Sequence, residues 1–243
     1  MWEEMILVPA ERRKRMELRL NIKSAMEHIN EKIIYFIRHG ESVGNAAGVF
    51  QGHDDGLSPN GVEQAHGLAK RFLHIPVEVI LASTMARARE TAEIIHEKTR
   101  IPVEFSDLLV EVKRPSDVWG KPLSDEAAFE LYKKLRIENH EPTWRYADEE
   151  NFSDRVERAC KVIKILHERA EKTIIIVSHG TFLRTILACM AFGANITPQE
   201  LVKFVYFLHK ANTGISVCEY KRDGYGEVRW KLRHWNDIAH LGE

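Results

Sequence analysis

The chain has 243 residues, 44% of them hydrophobic, and its 35 lysines and arginines are nearly balanced by 36 aspartates and glutamates. This length predicts a single α/β domain with one sizeable core. The charge balance gives no electrostatic reason to expect a nucleic acid or an anionic membrane as partner, so we expect neither. Cys160, Cys189 and Cys218 are odd in number and lack metal-ligand spacing. We therefore expect unpaired thiols in a reducing, cytoplasmic location.

Residues 1–31 are predicted to be an extension ahead of a domain that spans residues 32–243. Charged residues dominate from Glu11 to Arg15, and no apolar stripe follows at helical spacing. We expect a solvated helix or a partly disordered arm, with a helix that docks a partner as the alternative. Met26 is an alternative translation start. No apolar run approaches the roughly 20 residues of a membrane span, and the N-terminus lacks a signal-like apolar core, so a soluble protein is expected.

The first predicted strand is the apolar run from Lys32 to Ile37, and Arg38-His39-Gly40-Glu41 follows its end. Helical spacing predicts a helix over residues 61–73, with Pro59 as its start signal. Three further elements follow: a strand (Val77–Ala82), a helix (Met85–Lys98) and a short strand (Val103–Phe105). This alternation of strands and helices is typical of βαβ units.

Residues 113–150 are less regular, with three prolines and a modest helix predicted over Ser124–Leu135. Beyond them the spacing predicts a helix, a buried strand that ends in a histidine, and a very apolar helix. These three elements are Asp154–Arg169, Thr173–Val177 and Phe182–Phe192. The last predicted elements are partly antiparallel strands over Phe204–Leu208, Gly214–Tyr220 and Val228–His234.

His39 and His179 each follow the end of an apolar strand. Runs rich in isoleucine and valine, bounded by glycine, are typical of strands buried on both faces of a parallel sheet. Ligands bind at the carboxyl ends of such strands. Two imidazoles there, with Arg38 beside one of them, indicate a phosphate site in which one histidine acts as a nucleophile. Either histidine alone would more often be a structural hydrogen-bonding group.

Four segments in a fixed order make this pattern specific. They are R-H-G-E-S-x-x-N from Arg38 to Asn45, S-x-x-x-R-A-x-x-T-A from Ser83 to Ala92, Leu109-Val110-Glu111, and Ser178-His179-Gly180. This set resembles the histidine phosphatase superfamily, phosphoglycerate mutase-like branch. Weaker matches at Leu57–Gly61 and Asn236–Leu241 extend the similarity to about residues 32–241. The resemblance implies a phosphoglycerate mutase-like fold, a three-layer α/β/α sandwich with a mostly parallel central sheet.

His39 is the predicted nucleophile, and the resemblance implies the same role. A phosphomonoester dianion repels negatively charged nucleophiles, so an uncharged one is needed. Neighbouring arginines should lower the pKa of His39 and keep its imidazole neutral. Arg38 and Arg87 are predicted to hold the phosphoryl oxygens, because a guanidinium donates two parallel hydrogen bonds and stays charged. His179 is expected to donate a further hydrogen bond, as an imidazolium.

Glu111 is the predicted general acid, which protonates the leaving alcohol and then activates the water that cleaves the phosphohistidine. Glu104 is its competitor nearby in the sequence. Asn45, Ser58 and Asn212 are predicted to contact phosphate or substrate, with turn and cap roles as the alternative. We expect no metal and no cofactor, because arginines and histidines supply the positive charge.

The predicted function is hydrolysis of a small phosphorylated metabolite by a histidine acid-type phosphatase. The resemblance implies that a variable cover between the acid and the last large helix selects the substrate. Cofactor-dependent phosphoglycerate mutases carry an aromatic-arginine-arginine element after the acid, whereas Glu111 is followed here by Val112, Lys113 and Arg114. This departure favours a phosphatase, and Lys113 and Arg114 remain candidates for binding an anion. Mutase-type phosphoryl transfer and a phosphate-binding scaffold are the alternatives, and the substrate and oligomeric state stay open.

Overall fold

A computed structural model describes residues 31–52, 54–135 and 141–242. The predicted N-terminal extension, apart from Glu31, therefore lies outside the described residues. In the described ranges the chain forms a mixed α/β fold around one six-stranded sheet. Its strands are β1 (Lys32–Arg38), β2 (Val79–Ser83), β3 (Val103–Ser106), β4 (Thr173–Ser178), β5 (Ile215–Arg222) and β6 (Val228–Asp237).

The strands lie in the order β3-β2-β4-β1-β5-β6. β1 and β4 run parallel, with Arg38 opposite Ser178 at their ends, and β2 is parallel to both β3 and β4. β5 runs antiparallel to β1, and β6 antiparallel to β5. The predicted mostly parallel sheet is confirmed. Because β1 and β4 are parallel neighbours, the residues that follow them emerge at the same edge of the sheet.

Helices cover both faces of the sheet. The α-helices of the described residues are α1 (Val43–Ala46), α2 (Pro59–Arg71), α3 (Ala86–Thr99), α4 (Glu126–Lys133), α5 (Phe152–Glu168), α6 (Gly180–Phe192) and α7 (Pro198–Phe207). On one face, Leu68 of α2 and Ala92 of α3 share an apolar cluster with Ile175. On the other, Leu166 of α5 joins Ile176. Alternate residues of β4 thus enter opposite cores, which confirms the predicted three layers. In the described ranges, no helix is long and apolar enough to cross a membrane.

The strand predicted over Phe204–Leu208 is wrong, because all but the last of these residues belong to α7. The amide of Glu200 donates to the Thr197 hydroxyl at 3.3 Å, and the Thr197 amide donates to the Glu200 carboxylate at 2.8 Å. This capping box, with Pro198 at the first helical position, starts the helix. The aromatic and β-branched residues at the end of this helix have the composition of a strand. The cap and the burial of Leu201 stabilise the helix instead. The two later strand predictions are confirmed by β5 and β6.

The segment between Glu111 and α5 is held by a small apolar cluster that it forms with Phe50. Phe50, Val118 and Ala128 form its buried centre, and Leu131 and Tyr132 pack against it. The helix predicted in this segment is confirmed as α4. We call this segment, residues 112–151, the cover.

Candidate active site

A cavity of about 370 Å³ opens at the edge of the sheet where β1 and β4 end. Five of the eight predicted site residues line it: Arg38, His39, Asn45, Arg87 and Glu111. The cover contributes Val112, Lys113, Arg114, Trp119 and Leu123 to the lining. Among the residues that the structure describes, no group of three or more His, Cys, Asp or Glu side chains is arranged to hold a metal ion.

His39 and His179 lie side by side at this edge. Their ring centroids are 5.0 Å apart, and the two residues are 3% and 0% exposed. Their proximity follows from the parallel register of β1 and β4, since the preceding residues, Arg38 and Ser178, are direct neighbours. The structure thus brings together the two histidines that the sequence places at strand ends.

The hydrogen bonds of His39 select one tautomer of its ring. Nδ1 lies 2.7 Å from the carbonyl oxygen of Gly40, which only accepts, so Nδ1 carries the hydrogen. Nε2 then keeps its lone pair, to which Nε of Arg87 donates across 3.3 Å. Burial lowers the pKa of His39 well below its ordinary value, and His179, Arg87 and Arg38 lower it further. The ring is therefore neutral at neutral pH.

Gly40 allows the close packing that fixes this loop. A Cβ atom at Gly40 would lie 2.6 Å from the carbonyl oxygen of Gly61 in α2, so a larger residue does not fit. The Gly40 amide donates to the Thr91 hydroxyl at 3.0 Å, and that hydroxyl donates to the Arg87 carbonyl oxygen at 2.7 Å. Both α2 and α3 thereby hold the backbone beside His39.

Arg87 is a buried cation in the first turn of α3, with only 2% of its surface exposed. Its Nη1 donates to the carbonyl oxygen of Gly52 at 3.1 Å, and its Nη2 contacts the sulfur of Met85 at 3.7 Å. Burial lowers the pKa of Arg87 to about 10, so the guanidinium stays protonated at neutral pH. A fixed positive charge therefore contacts the predicted nucleophile.

Arg38 supplies a second cation. Its Nη1 donates to the carbonyl oxygen of Lys210 at 2.8 Å. Its Nε is buried and, among the described residues, has no hydrogen-bond partner. Buried donors normally have partners, so this atom is an unsatisfied donor in a side chain that lines the cavity. Burial lowers the pKa of Arg38, which Glu111 opposes and Arg184 reinforces.

Glu111 binds three backbone amides. Val112 donates at 2.9 Å, and Thr181 and Phe182, in the first turn of α6, donate at 3.1 and 2.9 Å. The carboxylate therefore sits at a helix N-terminus, where negative charge is favoured. Burial by itself raises the pKa of Glu111, but Arg114 and the three amides outweigh it and hold the pKa below its ordinary value. Without substrate, Glu111 is a carboxylate.

Glu104 and His179 do not line the cavity. Glu104, the sequence competitor of Glu111, binds Arg169 at 2.7 and 2.8 Å, and its side chain is 52% exposed. It is therefore an ion-pair residue on the surface. His179 lies against the His39 ring, and its Nε2 is 2.8 Å from the Ser83 hydroxyl.

The three predicted polar contacts fall into two groups. Asn212 donates from Nδ2 to the carbonyl oxygen of His39 at 3.0 Å and to Oδ1 of Asn45 at 3.3 Å. Asn45 lines the cavity, whereas Asn212 does not line it and contacts Asn45 from beside it. Ser58 does not line the cavity, because its hydroxyl caps α2 and donates to Glu41 at 2.6 Å. The structure shows the cap role of Ser58, and its phosphate contact stays a prediction.

Sequence reasoning missed the backbone groups that hold the two arginines and the histidine. The Thr213 amide donates to the carbonyl oxygens of Arg38 and His39 at 3.0 and 3.3 Å. Thr213 has a φ of 54°, a conformation that favours glycine. Carbonyl oxygens of Lys210 and Gly52 bind the guanidinium groups. Contacts made by backbone groups do not depend on the residue type, so no sequence pattern indicates them. The polar turn before Gly214 is the local signal that could have located Thr213.

The sequence profile of the histidine phosphatase superfamily (branch 1) matches residues 34–237. One relative is 2,3-bisphosphoglycerate-dependent phosphoglycerate mutase 1 of Arabidopsis thaliana, 27% identical over 232 residues, with 80% of this chain and 66% of the mutase covered. A Hydrogenobacter thermophilus protein provisionally named phosphoserine phosphatase 2 is 27% identical over 190 residues, with 76% and 88% covered. The chain thus spans about two thirds of the plant mutase.

Solved structures give the same result for the fold. YhfR of Bacillus stearothermophilus superposes with a TM-score of 0.70 at 25% identity, covering 86% of this chain and 99% of that one. This coverage and TM-score agree with the three-layer architecture.

Proposed function

This chain belongs to the histidine phosphatase superfamily, and we propose that it hydrolyses a small phosphomonoester through a phosphohistidine formed on His39. The observation that carries the proposal is the position of His39 Nε2, which keeps the lone pair of the ring and lies 3.3 Å from Nε of Arg87. A neutral nucleophile is not repelled by a phosphate dianion, and the guanidinium beside it binds the group under attack. As a family member the protein is a phosphatase or a mutase, and the histidine acid-type phosphatase is the form we propose.

In the first step, the Nε2 lone pair of His39 attacks phosphorus and the bond from phosphorus to the ester oxygen breaks. Donors of Arg38 and Arg87, which line the cavity, stabilise the charge on the phosphoryl oxygens. We propose that His179, which packs against the His39 ring, adds a donor when substrate is bound. Glu111 gives its proton to the departing oxygen, so the product leaves as a neutral alcohol. A phosphohistidine and an ionised Glu111 remain.

In the second step, Glu111 takes a proton from a water molecule while the water oxygen attacks phosphorus. The bond from phosphorus to Nε2 breaks, and its electron pair returns to the ring of His39. Inorganic phosphate leaves, and Glu111 is again protonated. Water is thus the only co-reactant, and the proposed reaction uses neither a cofactor nor a metal.

Glu111 must carry a proton before the first step, whereas its pKa is below the ordinary value when the site is empty. The substrate changes this balance. A phosphate dianion beside the carboxylate favours its neutral form and raises its pKa. Substrate binding therefore promotes the acid form that the first step requires.

We propose that Asn45 contacts a phosphoryl oxygen, because it lines the cavity and is held by Asn212. Residues 32–243 are proposed as the catalytic unit, in agreement with the family match over residues 34–237. The cysteines are free thiols, which supports the proposed cytoplasmic location.

The choice of phosphatase over mutase rests on the cover. Val112, Lys113 and Arg114 follow Glu111 where mutases carry their aromatic-arginine-arginine element. Sequence relatives of both kinds exist, so mutase-type transfer is the alternative that the experiment must separate.

Turnover of a panel of phosphorylated metabolites, measured with a chelator present, tests the proposal. The panel includes p-nitrophenyl phosphate, and 3-phosphoglycerate with and without its bisphosphate primer. A phosphatase releases inorganic phosphate without primer, whereas a mutase forms 2-phosphoglycerate only when primed. A strict magnesium requirement, or no phosphate release from any member, would contradict the proposed function.

A further inference from the structure

Glu111 lies in a stretch of chain, residues 111–115, that forms neither helix nor strand. Its carboxylate binds three backbone amides, but regular secondary structure does not hold the backbone that carries it. A catalytic side chain must stay within about 0.5 Å of its working position. The contacts that other parts of the chain make with this backbone therefore decide whether Glu111 can transfer a proton.

Arg158 of α5 binds the backbone on the N-terminal side of Glu111. Its Nη1 donates to the carbonyl oxygen of Leu108 at 2.9 Å and to that of Val110 at 2.8 Å. Val110 directly precedes Glu111. Both hydrogens of one guanidinium nitrogen are thus used on this segment, and the planar fork fixes the direction of the two bonds.

Glu150, near the end of the cover, holds Arg158 in place. Its two carboxylate oxygens accept from Nε and Nη2 of Arg158 at 2.7 and 2.6 Å, and each side chain is 13% exposed. The amide of Glu150 also donates to the carbonyl oxygen of Lys113 at 3.1 Å. Arg158 and Glu150 together therefore bind backbone groups on both sides of Glu111.

Arg158 also packs on a residue that binds the Glu111 carboxylate. Its guanidinium carbon lies 3.6 Å from the centroid of the Phe182 ring, which is completely buried. The amide of Phe182 donates to Oε1 of Glu111 at 2.9 Å. One guanidinium thus connects the backbone that carries Glu111 with the first turn of α6, which binds its carboxylate.

A contribution to stability does not account for this arrangement. A buried ion pair gives little net stability, because the loss of hydration offsets the attraction between the charges. The hydrogen bonds of Arg158 and Glu150 converge instead on residues 108–113, and Glu111 is the proposed acid in that range.

We propose that Arg158, held by Glu150, is a positioning residue that keeps the carboxylate of Glu111 in place for proton transfer. This inference rests on the proposed function and adds two positioning residues to the same site. Neither residue lines the cavity, so both act through Glu111 and not on the substrate.

Arg158→Lys tests the proposal, because it keeps the positive charge beside Glu150 and removes the planar fork. A single ammonium cannot bind two carbonyl oxygens and two carboxylate oxygens and also stack on Phe182. A displacement of about 1 Å can cost about a hundred-fold in rate, so we expect phosphoryl transfer from an alkyl phosphate to slow roughly ten- to a hundred-fold. Transfer from p-nitrophenyl phosphate, whose leaving group needs no acid, should slow less than about threefold.

The measurement is the ratio of the two phosphoryl-transfer rates in single-turnover experiments. Partial unfolding lowers both rates by the same factor, so a loss of structure alone does not change this ratio. In a Glu111→Gln background, Arg158→Lys should leave the ratio unchanged, because the acid through which Arg158 acts is already absent.

Glu150→Gln is the second variant. A glutamine presents an N–H donor to the donors of Arg158 in place of one carboxylate oxygen. The ratio should change in the same direction as in Arg158→Lys, by a smaller factor.

Arg169→Lys is the matched control. Arg169 follows the end of α5, and its guanidinium also binds a carboxylate through two nitrogens, at 2.8 and 2.7 Å from the oxygens of Glu104. The pair lies at the surface, where the side chain of Glu104 is 52% exposed. The ratio of the two rates should equal that of the wild type.

An equal loss for both esters in Arg158→Lys, or a further change of the ratio in the Glu111→Gln background, would overturn the proposal. If Arg158→Lys does not fold, an unchanged ratio in Glu150→Gln overturns it. If Glu111→Gln discriminates between the esters while Arg158→Lys and Glu150→Gln do not, the proposed function stands and this inference alone fails. If the wild type forms no phosphohistidine, both fail.

Discussion

Nε of Arg87 donates a hydrogen bond to Nε2 of His39 across 3.3 Å. An arginine has no acceptor, so this contact exists only if Nε2 carries a lone pair. The Gly40 carbonyl oxygen fixes the other ring nitrogen as the N–H donor. One cation thereby favours the tautomer of His39 whose Nε2 carries the lone pair, which the proposed attack on phosphorus requires.

Replacement of Arg87 by lysine should therefore reduce catalysis although the charge is kept. A lysine ammonium cannot occupy the Nε position beside His39 and also bind a phosphoryl oxygen through a second nitrogen. We expect kcat/KM for p-nitrophenyl phosphate to fall by roughly a hundred-fold, the effect typical of one lost donor at a developing anion.

Arg89→Lys is the control for this substitution, because Arg89 lies on the same helix with its side chain 43% exposed and outside the cavity. It should keep wild-type activity. A loss of less than threefold in kcat/KM for Arg87→Lys would show that catalysis does not depend on the geometry of the guanidinium group.

Glu111→Gln should affect alkyl phosphates far more than p-nitrophenyl phosphate. An alkoxide must be protonated as it departs, whereas p-nitrophenolate leaves without help. General acid catalysis is worth about a hundred- to ten-thousand-fold, so the difference between the two esters should be large. The phosphoryl-transfer step must be isolated by burst or single-turnover kinetics, because hydrolysis of phosphohistidine also uses Glu111 and contributes to the steady-state rate.

Glu104→Gln is the matched control, since its carboxylate pairs with Arg169 instead of lining the cavity. Its kinetics should equal those of the wild type with both esters. An equal loss for alkyl and aryl phosphates in Glu111→Gln would mean that Glu111 positions the substrate and transfers no proton.

The neutral state of His39 should appear in the pH dependence of stability. Its pKa is well below the ordinary value in the folded protein, mainly through burial, and near 6.5 in the unfolded chain. As the pH falls below about 6.5, the unfolded chain binds a proton that the folded protein excludes, so this contribution to stability is lost. Between pH 7 and 5.5 the free energy of unfolding should fall by about 1 kcal/mol more in the wild type than in His39→Gln.

Urea unfolding at the two pH values measures this difference. His74→Gln, at an exposed histidine beyond the end of α2, should lose as much stability as the wild type on acidification. If His39→Gln also matches the wild type, His39 is not held neutral in the folded protein.

A protein that begins at Glu31 should fold and hydrolyse small substrates at the full-length rate. The family match starts at residue 34, and the site residues lie between Arg38 and Asn212. Circular dichroism and kcat/KM for p-nitrophenyl phosphate check this. Loss of solubility or turnover on truncation would assign residues 1–30 to the fold or to the site.

The sequence was sufficient for the sheet and for the two histidines, because buried parallel strands produce long apolar runs and their ends converge. His39, His179 and Arg87 are consequently found from local patterns. The end of helix α7 was predicted as a strand, because its aromatic residues are typical of strands and the capping signal at Thr197 was not used.

Other properties depend on contacts that no local pattern contains. The pKa of Glu111 is lowered by Arg114 and by backbone amides, two of which belong to α6, about seventy residues away in sequence. Ser58 was interpreted as a candidate phosphate ligand, but its hydroxyl is occupied by Glu41 and by the cap of α2. The tautomer of His39 depends on the backbone carbonyl of Gly40. Every residue has such a carbonyl, so no residue type indicates this contact.

The most direct test of the central claim is to trap the covalent intermediate. The protein is mixed briefly with substrate, denatured without acid, digested and mapped for phosphate. We expect phosphate on His39, stable to base and lost in acid, and we expect His39→Ala to lose both the label and the activity. Phosphate on another residue, or a His39→Ala variant that keeps more than about a thousandth of the wild-type rate, would contradict nucleophilic catalysis by His39.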